Sequence, residues 1–278
     1  MKKLLSCSVL AIALGVTGCT STNTTNGGAV GVDRKQYMFS MVSEEEVNNT
    51  YAKAYAETLQ DAQAQNALIS KNDKQMKRLQ AIADRLIAQV GTFRPDAKNW
   101  KWEVNLINSD EVNANCGPGG KIIFYTGIIN TLKLTDDEIA AVMGHEIAHA
   151  LRSHGREAMS KAYGVSAASE VAGLFGVDTT NVNLAQTGVN YLMTLPNSRT
   201  NENEADLIGL ELAARAGYNP EAAVTLWQKM NKLGSSGPEF MSTHPSNDNR
   251  IASLQAAIPK VLPLYEAAKK TNSTTTKK

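Results

Sequence analysis

Thr135-Asp136-Asp137-Glu138-Ile139-Ala140-Ala141-Val142-Met143-Gly144-His145-Glu146-Ile147-Ala148-His149-Ala150-Leu151 is the stretch from which the rest of the chain can be ordered. Its larger apolar residues recur three or four apart, the spacing of one helical face. Thr135 suits the N-cap, the three acids behind it suit the positive end of the helix dipole, and Glu138 completes a capping box. Positions four apart differ by about 40° in azimuth, so His145 and His149 point the same way from adjacent turns. Glu146 stands about 100° round from His145.

Two imidazoles so placed can share one tetrahedral zinc ion, and Glu146 can reach a water on that metal. His-Glu-x-x-His on a helix is the sequence signature of zinc-dependent peptide hydrolysis. The competing account is a chance motif, since the chain carries 4 histidines in 278 residues. The flanks weigh against it. Ile139, Val142, Met143, Ile147, Ala148 and Leu151 describe a buried helix with an inward-facing site. A buried His-Glu-His trio without a metal would need other partners for three polar groups. One zinc ion per chain is the expectation.

Two histidines leave zinc short of a catalytic ligand set. His154 would sit about 180° from His145 if the helix continued. The longer pattern His-Glu-x-x-His-x-x-Gly-x-x-His needs Gly at 152 and His at 155, and this chain has Arg152 and Gly155. The run Glu202-Asn203-Glu204-Ala205-Asp206 is the better source. On a helix, Glu202 and Asp206 share a face while Glu204 points nearly opposite. One carboxylate can bind zinc and the one a turn away can hydrogen-bond a zinc imidazole, setting its tautomer.

Outward from this core, residues 1–18 read as a targeting segment. Lys2 and Lys3 precede an apolar run, Leu4 to Val16, too short to span a bilayer as a stable helix. Val16-Thr17-Gly18-Cys19 resembles a bacterial lipobox, which implies cleavage before Cys19 and acylation of that cysteine. Thr20 stands where an aspartate would signal inner-membrane retention, which favours the outer membrane of a Gram-negative cell, facing the periplasm. Several acyl chains give stable anchoring. Cys116 then stands alone, no intramolecular disulfide is available, and its neighbours offer no base; it reads as a passive packed thiol.

Ser, Thr, Asn and Gly after Cys19 read as a flexible tether over 19–40. Residues 261–278 read as a polar tail. Residues 41–260 remain for one domain with a substantial core. Loss of Lys2 and Lys3 takes the formal charge from +1 to −1, a balance that argues against nucleic acid as a partner.

Within the domain, 43–90 holds two helices: an exposed, partly amphipathic one from Ser43 to about Ile69, then a buried one with Met76, Leu79, Ile82, Leu86 and Val90. Trp100 to Asn108 alternates as a strand, Asn113-Ala114-Asn115 begins another, and Gly117-Pro118-Gly119-Gly120 turns the chain into a third, Lys121 to Thr126. The Ala-, Ser- and Gly-rich segment of about 155–198 reads as a mobile element over the site. Helices follow from Arg199 to Ala216, from Pro220 to about Leu233, and from Asn249 to Ala257. The fold class is α+β and predominantly helical, with a small sheet beside the histidine helix.

His-Glu-x-x-His, then Glu202-x-x-Ala205-Asp206 after a long insertion, then the His244-Pro245 loop, resembles the gluzincin family of the CAAX prenyl endopeptidases and their bacterial heat-shock and periplasmic relatives. Asn113-Ala114, Pro118-Gly119-Gly120 and Tyr125-Thr126-Gly127 resemble that family's edge strand and turn, and Gly217-Tyr218-Asn219-Pro220 its link after the acidic helix. The resemblance covers roughly residues 75 to 258 and is to the lipid-anchored periplasmic branch, since no long apolar helix follows the signal. It implies a zincin-like metallopeptidase domain with His145, His149 and Glu202 as zinc ligands and Glu146 as general base. It implies that Asp206 supports a ligand, that Asn113 to Asn115 form a substrate edge strand, and that His244 either blocks the metal at rest or, with Arg250, stabilises the transition state. Its activity would be endopeptidase cleavage of misfolded or stalled envelope proteins. The alternative is a chaperone or assembly factor for outer-membrane proteins whose protease site is normally shut, working with the envelope assembly machinery.

Overall fold

The computed structural model describes residues 19–163, 197–233, 239–244 and 249–275. The targeting segment and most of the stretch read as mobile lie outside the described residues. Helix α1, Glu44–Ala64, starts on the Ser43 hydroxyl, which accepts from the Glu46 amide. Helix α2, Lys74–Ile87, starts on the Asp73 carboxylate, which accepts from the amides of Gln75 and Met76. Met76, Leu79, Ile82 and Leu86 are buried along it; such side chains contribute roughly 1.5–3 kcal/mol each.

Strands β3 (Glu103–Ile107), β4 (Ala114–Gly117) and β5 (Lys121–Tyr125) form one sheet in the order β3-β5-β4. β3 pairs parallel and β4 antiparallel to β5, so β4 is an edge. Gly119 and Gly120 both take positive φ in the turn between β4 and β5, a region open to glycine at no steric cost. The short helix α3, Thr126–Thr131, then leads to α4, Asp136–Leu151.

The capping box of α4 forms as expected: Thr135 Oγ1 accepts from the Glu138 amide, and Glu138 Oε2 accepts from the Thr135 amide at 2.9 Å. Glu138 also takes a hydrogen bond from Thr225 Oγ1 at 3.0 Å and pairs with Lys229 at 2.7 Å. That ties the start of α4 to helix α7, Glu221–Asn231. From Glu138 onward every residue of α4 is buried. It lies between β4 on one side and helix α6, Arg199–Arg215, on the other. Backbone meets backbone between α4 and α6 at Gly144 and Gly209. A Cβ at 209 would stand 2.6 Å from the His145 amide nitrogen, and one at 144 would stand 2.8 Å from the Gly209 carbonyl oxygen. This contact brings the histidines of α4 within reach of the acids of α6.

Three expectations need correction. Residues 19–39 are not a loose tether. They pair as β1 (Cys19–Thr22) with β2 (Gln36–Phe39), and Val30, Val32 and Met38 are buried. Their backbone is tied to the domain through Val30 N to Glu211 Oε2 at 3.0 Å and Asn26 N to Phe93 O at 2.7 Å. Local composition signals flexibility only where no distant partner satisfies the polar groups, and here partners exist. Helix α1 stops at Ala64 and buries Tyr51 and Tyr55. The last helix, α9, runs Asn249–Thr275 through Pro259 and Pro263, so residues 261–275 are helical and not a loose tail. Val261 is buried, and Leu264 and Tyr265 pack against the core, which offsets the hydrogen bonds that the prolines cannot make.

Candidate metal centre

His145 and His149 emerge from α4 toward Glu202 in the first turn of α6. His244 follows the short helix α8, Glu239–Thr243, its ring stacked on Phe240 at 4.4 Å. One ligand atom from each of these four buried residues falls within 4.8 Å of the others. His145 Nε2 lies 3.1 Å from His149 Nε2 and 3.2 Å from His244 Nδ1. Glu202 Oε1 lies 3.3 Å from His149 Nε2 and 3.0 Å from His244 Nδ1. A tetrahedral zinc with bonds of about 2.0–2.1 Å needs donors about 3.3 Å apart, so the spacing fits that ion.

The protons agree. Asp206 Oδ1 accepts from His145 Nδ1 at 3.0 Å, so the neutral ring presents Nε2 as an acceptor toward three other acceptor-capable groups, a place that only a proton or a metal can fill. Such a convergence asks for a cation. Burial works against a charged His145, but the hydrogen bonds and charges of Asp206 and Glu202 prevail and raise its pKa to about 9 without metal. His149, buried with less compensation, is pushed well below the ordinary imidazole range. Glu202 is held well below the usual carboxylate range: burial opposes its charge, and the neighbouring imidazoles outweigh it.

Glu146 is buried one step along α4, and its Oε1 has no hydrogen-bond donor among the described residues. Burial raises its pKa against the pull of His244 and His145. It faces a cleft of about 880 Å³ including space open to solvent, lined by β4, α1 and the His149 and His244 rings. Along β4, Asn113 and Tyr125 exchange a ladder bond (Tyr125 N to Asn113 O, 3.2 Å), so Ala114 and Cys116 turn their main-chain groups away from β5. Among the described residues no strand pairs with that edge. Ala114 N is taken by Asn113 Oδ1 at 2.9 Å, and Tyr51 Oη donates to Asn115 Oδ1 at 2.7 Å. Cys116 is buried and free, and burial pushes its thiol well up, in keeping with a passive residue.

Arg250 is placed differently from an oxyanion donor. It stands behind the donor cluster with its guanidinium carbon 3.6 Å over the Trp227 ring. Its Nε and Nη2 grip both oxygens of Asp206 at 2.7 Å, and Nη1 meets Glu202 Oε2 at 2.7 Å. It does not line the cleft. Two residues that helical spacing places away from the metal are instead linked to the donor cluster through His149. α4 ends at Leu151 with Arg152 as its C-cap, Ser153 takes φ 51, and the chain turns before α5, the helix over 154–163. That turn returns His154 Nδ1 to 2.9 Å from His149 Nδ1. Glu204, on the far face of α6, meets His154 Nε2 at 3.1 Å. The positive φ of a serine carries no sequence signal that would have shown it.

The model of peptidase family M48 matches residues 73–258. The chain is 40% identical over 157 residues to the mitochondrial metalloendopeptidase OMA1 of Arabidopsis thaliana, covering 56% of this chain and 31% of that protein. It is 34% identical over 179 residues to its namesake in Saccharomyces cerevisiae, covering 60% and 50%. To the Beta-barrel assembly-enhancing protease of Escherichia coli it is 30% identical over 166 residues, covering 53% and 32%. The match therefore spans about a third to a half of these relatives. With a cluster of three histidines and one glutamate spaced for zinc on a mostly helical α+β framework, these likenesses bear out a zinc metallopeptidase centre: the chain belongs to peptidase family M48.

Proposed function

We propose that this chain is a zinc-dependent endopeptidase of the bacterial envelope, acting on misfolded or stalled outer-membrane and periplasmic proteins, anchored through acylated Cys19 on the periplasmic face of the outer membrane. The observation that carries the activity is the position of Glu146: a buried carboxylate without a donor on Oε1, next to four converging ligand atoms and open to a cleft beside an unpaired strand edge. His145, His149 and Glu202 would hold the metal. Zinc there would acidify a bound water and polarise the scissile carbonyl. Glu146 takes the proton of the attacking water and returns it to the leaving amine, and its raised pKa suits both transfers. Asp206, locked by Arg250, keeps His145 in the tautomer that presents Nε2. An extended substrate adds to β4, where the outward carbonyls of Ala114 and Cys116 can accept its amides. Main-chain recognition of this kind reads little side-chain sequence, which suits damaged chains. The lipobox supports the envelope setting, as does likeness to proteases whose names carry β-barrel assembly.

A second reading, an assembly factor with its peptidase shut, is favoured by one observation. His244 supplies a fourth protein donor, and closed four-donor sites characterise structural zinc. Cleavage of unfolded casein by the zinc-loaded protein and by Glu146→Gln separates the two. On the peptidase reading the variant keeps its zinc and loses on the order of 100- to 10,000-fold in rate. Equal rates sink Glu146 as the base. Prevention of aggregation by a wild type that cleaves nothing supports the second reading. Labelled acyl chains on wild type, but not on Cys19→Ser, test the anchor.

A further inference from the structure

We propose that His154 is a positioning residue for the metal, the middle member of a relay Glu204–His154–His149 that fixes the second ligand histidine as Asp206 fixes the first. The inference rests on the zinc-centre reading and adds residues that neither the helical spacing nor the ligand set includes.

Proton accounting carries it. Glu204 Oε2 receives Arg152 Nε at 2.9 Å and Arg34 Nη2 at 3.1 Å, so the carboxylate is ionised and serves as an acceptor. His154 Nε2, 3.1 Å from the same oxygen, is therefore the donor. The anions around it are matched before His154 is counted: Arg34, Arg152 and Lys161 face Glu204 and Glu157, with Arg34 also forked on Glu157 at 2.8 and 2.9 Å. A neutral His154 that donates from Nε2 has a bare Nδ1. That Nδ1 faces His149 Nδ1 at 2.9 Å, and one proton must lie between the two. It lies on His149. His149 Nε2 is then bare and aimed at Glu202 Oε1 and His145 Nε2, where a metal ligand has to be.

The rest of the frame is built to hold this chain of bonds. Arg152 is fully buried and binds Asn23 Oδ1, Thr25 Oγ1 and the Arg34 carbonyl as well as Glu204. Arg34 spans Glu204, Glu157 and Asn201 from the segment between β1 and β2. Three of the four acids of α6 thus divide the work: Glu202 toward the metal, Asp206 to His145, Glu204 through His154 to His149.

The test compares the full-length wild type with His154→Leu and His154→Asn for zinc affinity by chelator competition, and for the absorption bands of the cobalt(II)-substituted proteins. Leucine removes the acceptor, whereas asparagine returns an oxygen near the lost Nδ1. We expect His154→Leu to weaken zinc about 10–100-fold and shift the cobalt bands, and His154→Asn to recover most of both. If leucine does not fold, Glu204→Gln is read the same way and must also weaken zinc. Wild-type affinity and bands in His154→Leu overturn the relay, as does a folded His154→Asn no better than leucine, or unchanged affinity in Glu204→Gln. A wild type that binds no zinc overturns both the relay and the centre. The affinity comparison is independent of cleavage, so a failure of the peptidase reading is told apart from a failure of the relay.

Discussion

His244 Nε2 stands 3.4 Å from Glu146 Oε1 while the other nitrogen of the ring lies in the donor cluster, 3.0 Å from Glu202 Oε1. One imidazole thus touches both the ligand set and the proposed base. His244→Ala removes the fourth donor and clears the space before Glu146. We expect a several-fold gain in casein cleavage with weaker zinc retention, because a catalytic centre keeps one position open. A steady-state assay at saturating zinc checks it. Loss of activity would instead make His244 a donor to the transition state.

Arg250 holds two buried carboxylates, Glu202 and Asp206. Arg250→Met keeps much of the volume and leaves both acids without their cation. Breaking a buried pair in this way costs about 3–5 kcal/mol. At roughly 2–4 °C per kcal/mol for a domain of this size, the melting temperature should fall by about 6–20 °C. Differential scanning calorimetry measures it. A fall comparable to that of an exposed arginine, such as Arg199→Met, would remove Arg250 from its assigned place.

Acid should weaken the same protein from a different point. Burial works against the charges of Glu157 and Glu204, yet Arg34 with Gln36, and His154 with Arg34 and Arg152, hold both pKa values at about 2, below the ordinary 4.5. Folded values below the unfolded ones mean stability present in full above about 4.5 and lost as pH falls toward 2. Each group contributes up to about 3 kcal/mol over that window, less whatever solvent screens at the half-exposed Arg34. Urea midpoints of the chelator-treated protein at pH 7 and pH 3.5 should show the drop, and Arg34→Ala should flatten it. An unchanged slope in Arg34→Ala would assign the acid sensitivity elsewhere.

Gly209→Ala places a methyl group 2.6 Å from the His145 amide nitrogen. Backbone cannot yield as a side chain can, so α4 and α6 must part. The cost should be about 1–3 kcal/mol, with zinc affinity falling as Glu202 and His145 separate. Chelator competition and thermal melting read both effects. Wild-type zinc affinity with an intact fold would show that the helices do not need this contact to build the centre.

Much of the centre is legible in the amino-acid order because it depends on local geometry. The capping box, the shared face of His145 and His149, and the alignment of Glu202 with Asp206 all follow from helical spacing within one segment. The edge strand and its glycine turn are equally local. The sequence by itself therefore determined the helix, the pairing of its two histidines and the zinc they would hold. What joined distant segments was decided by tertiary structure alone. A residue in left-handed backbone, Ser153, bends the chain so that His154 returns to His149 rather than facing away. Glu204 matters because α5 and the segment before β2 pack on its side of α6. Arg250 binds Asp206 and Glu202 instead of facing substrate because Trp227 and α9 set it behind the ligands. Residues 19–39 look flexible by composition and are held by partners far along the chain. Helical periodicity extends over a few turns; which buried polar group meets which partner depends on contacts that spacing in one segment does not encode.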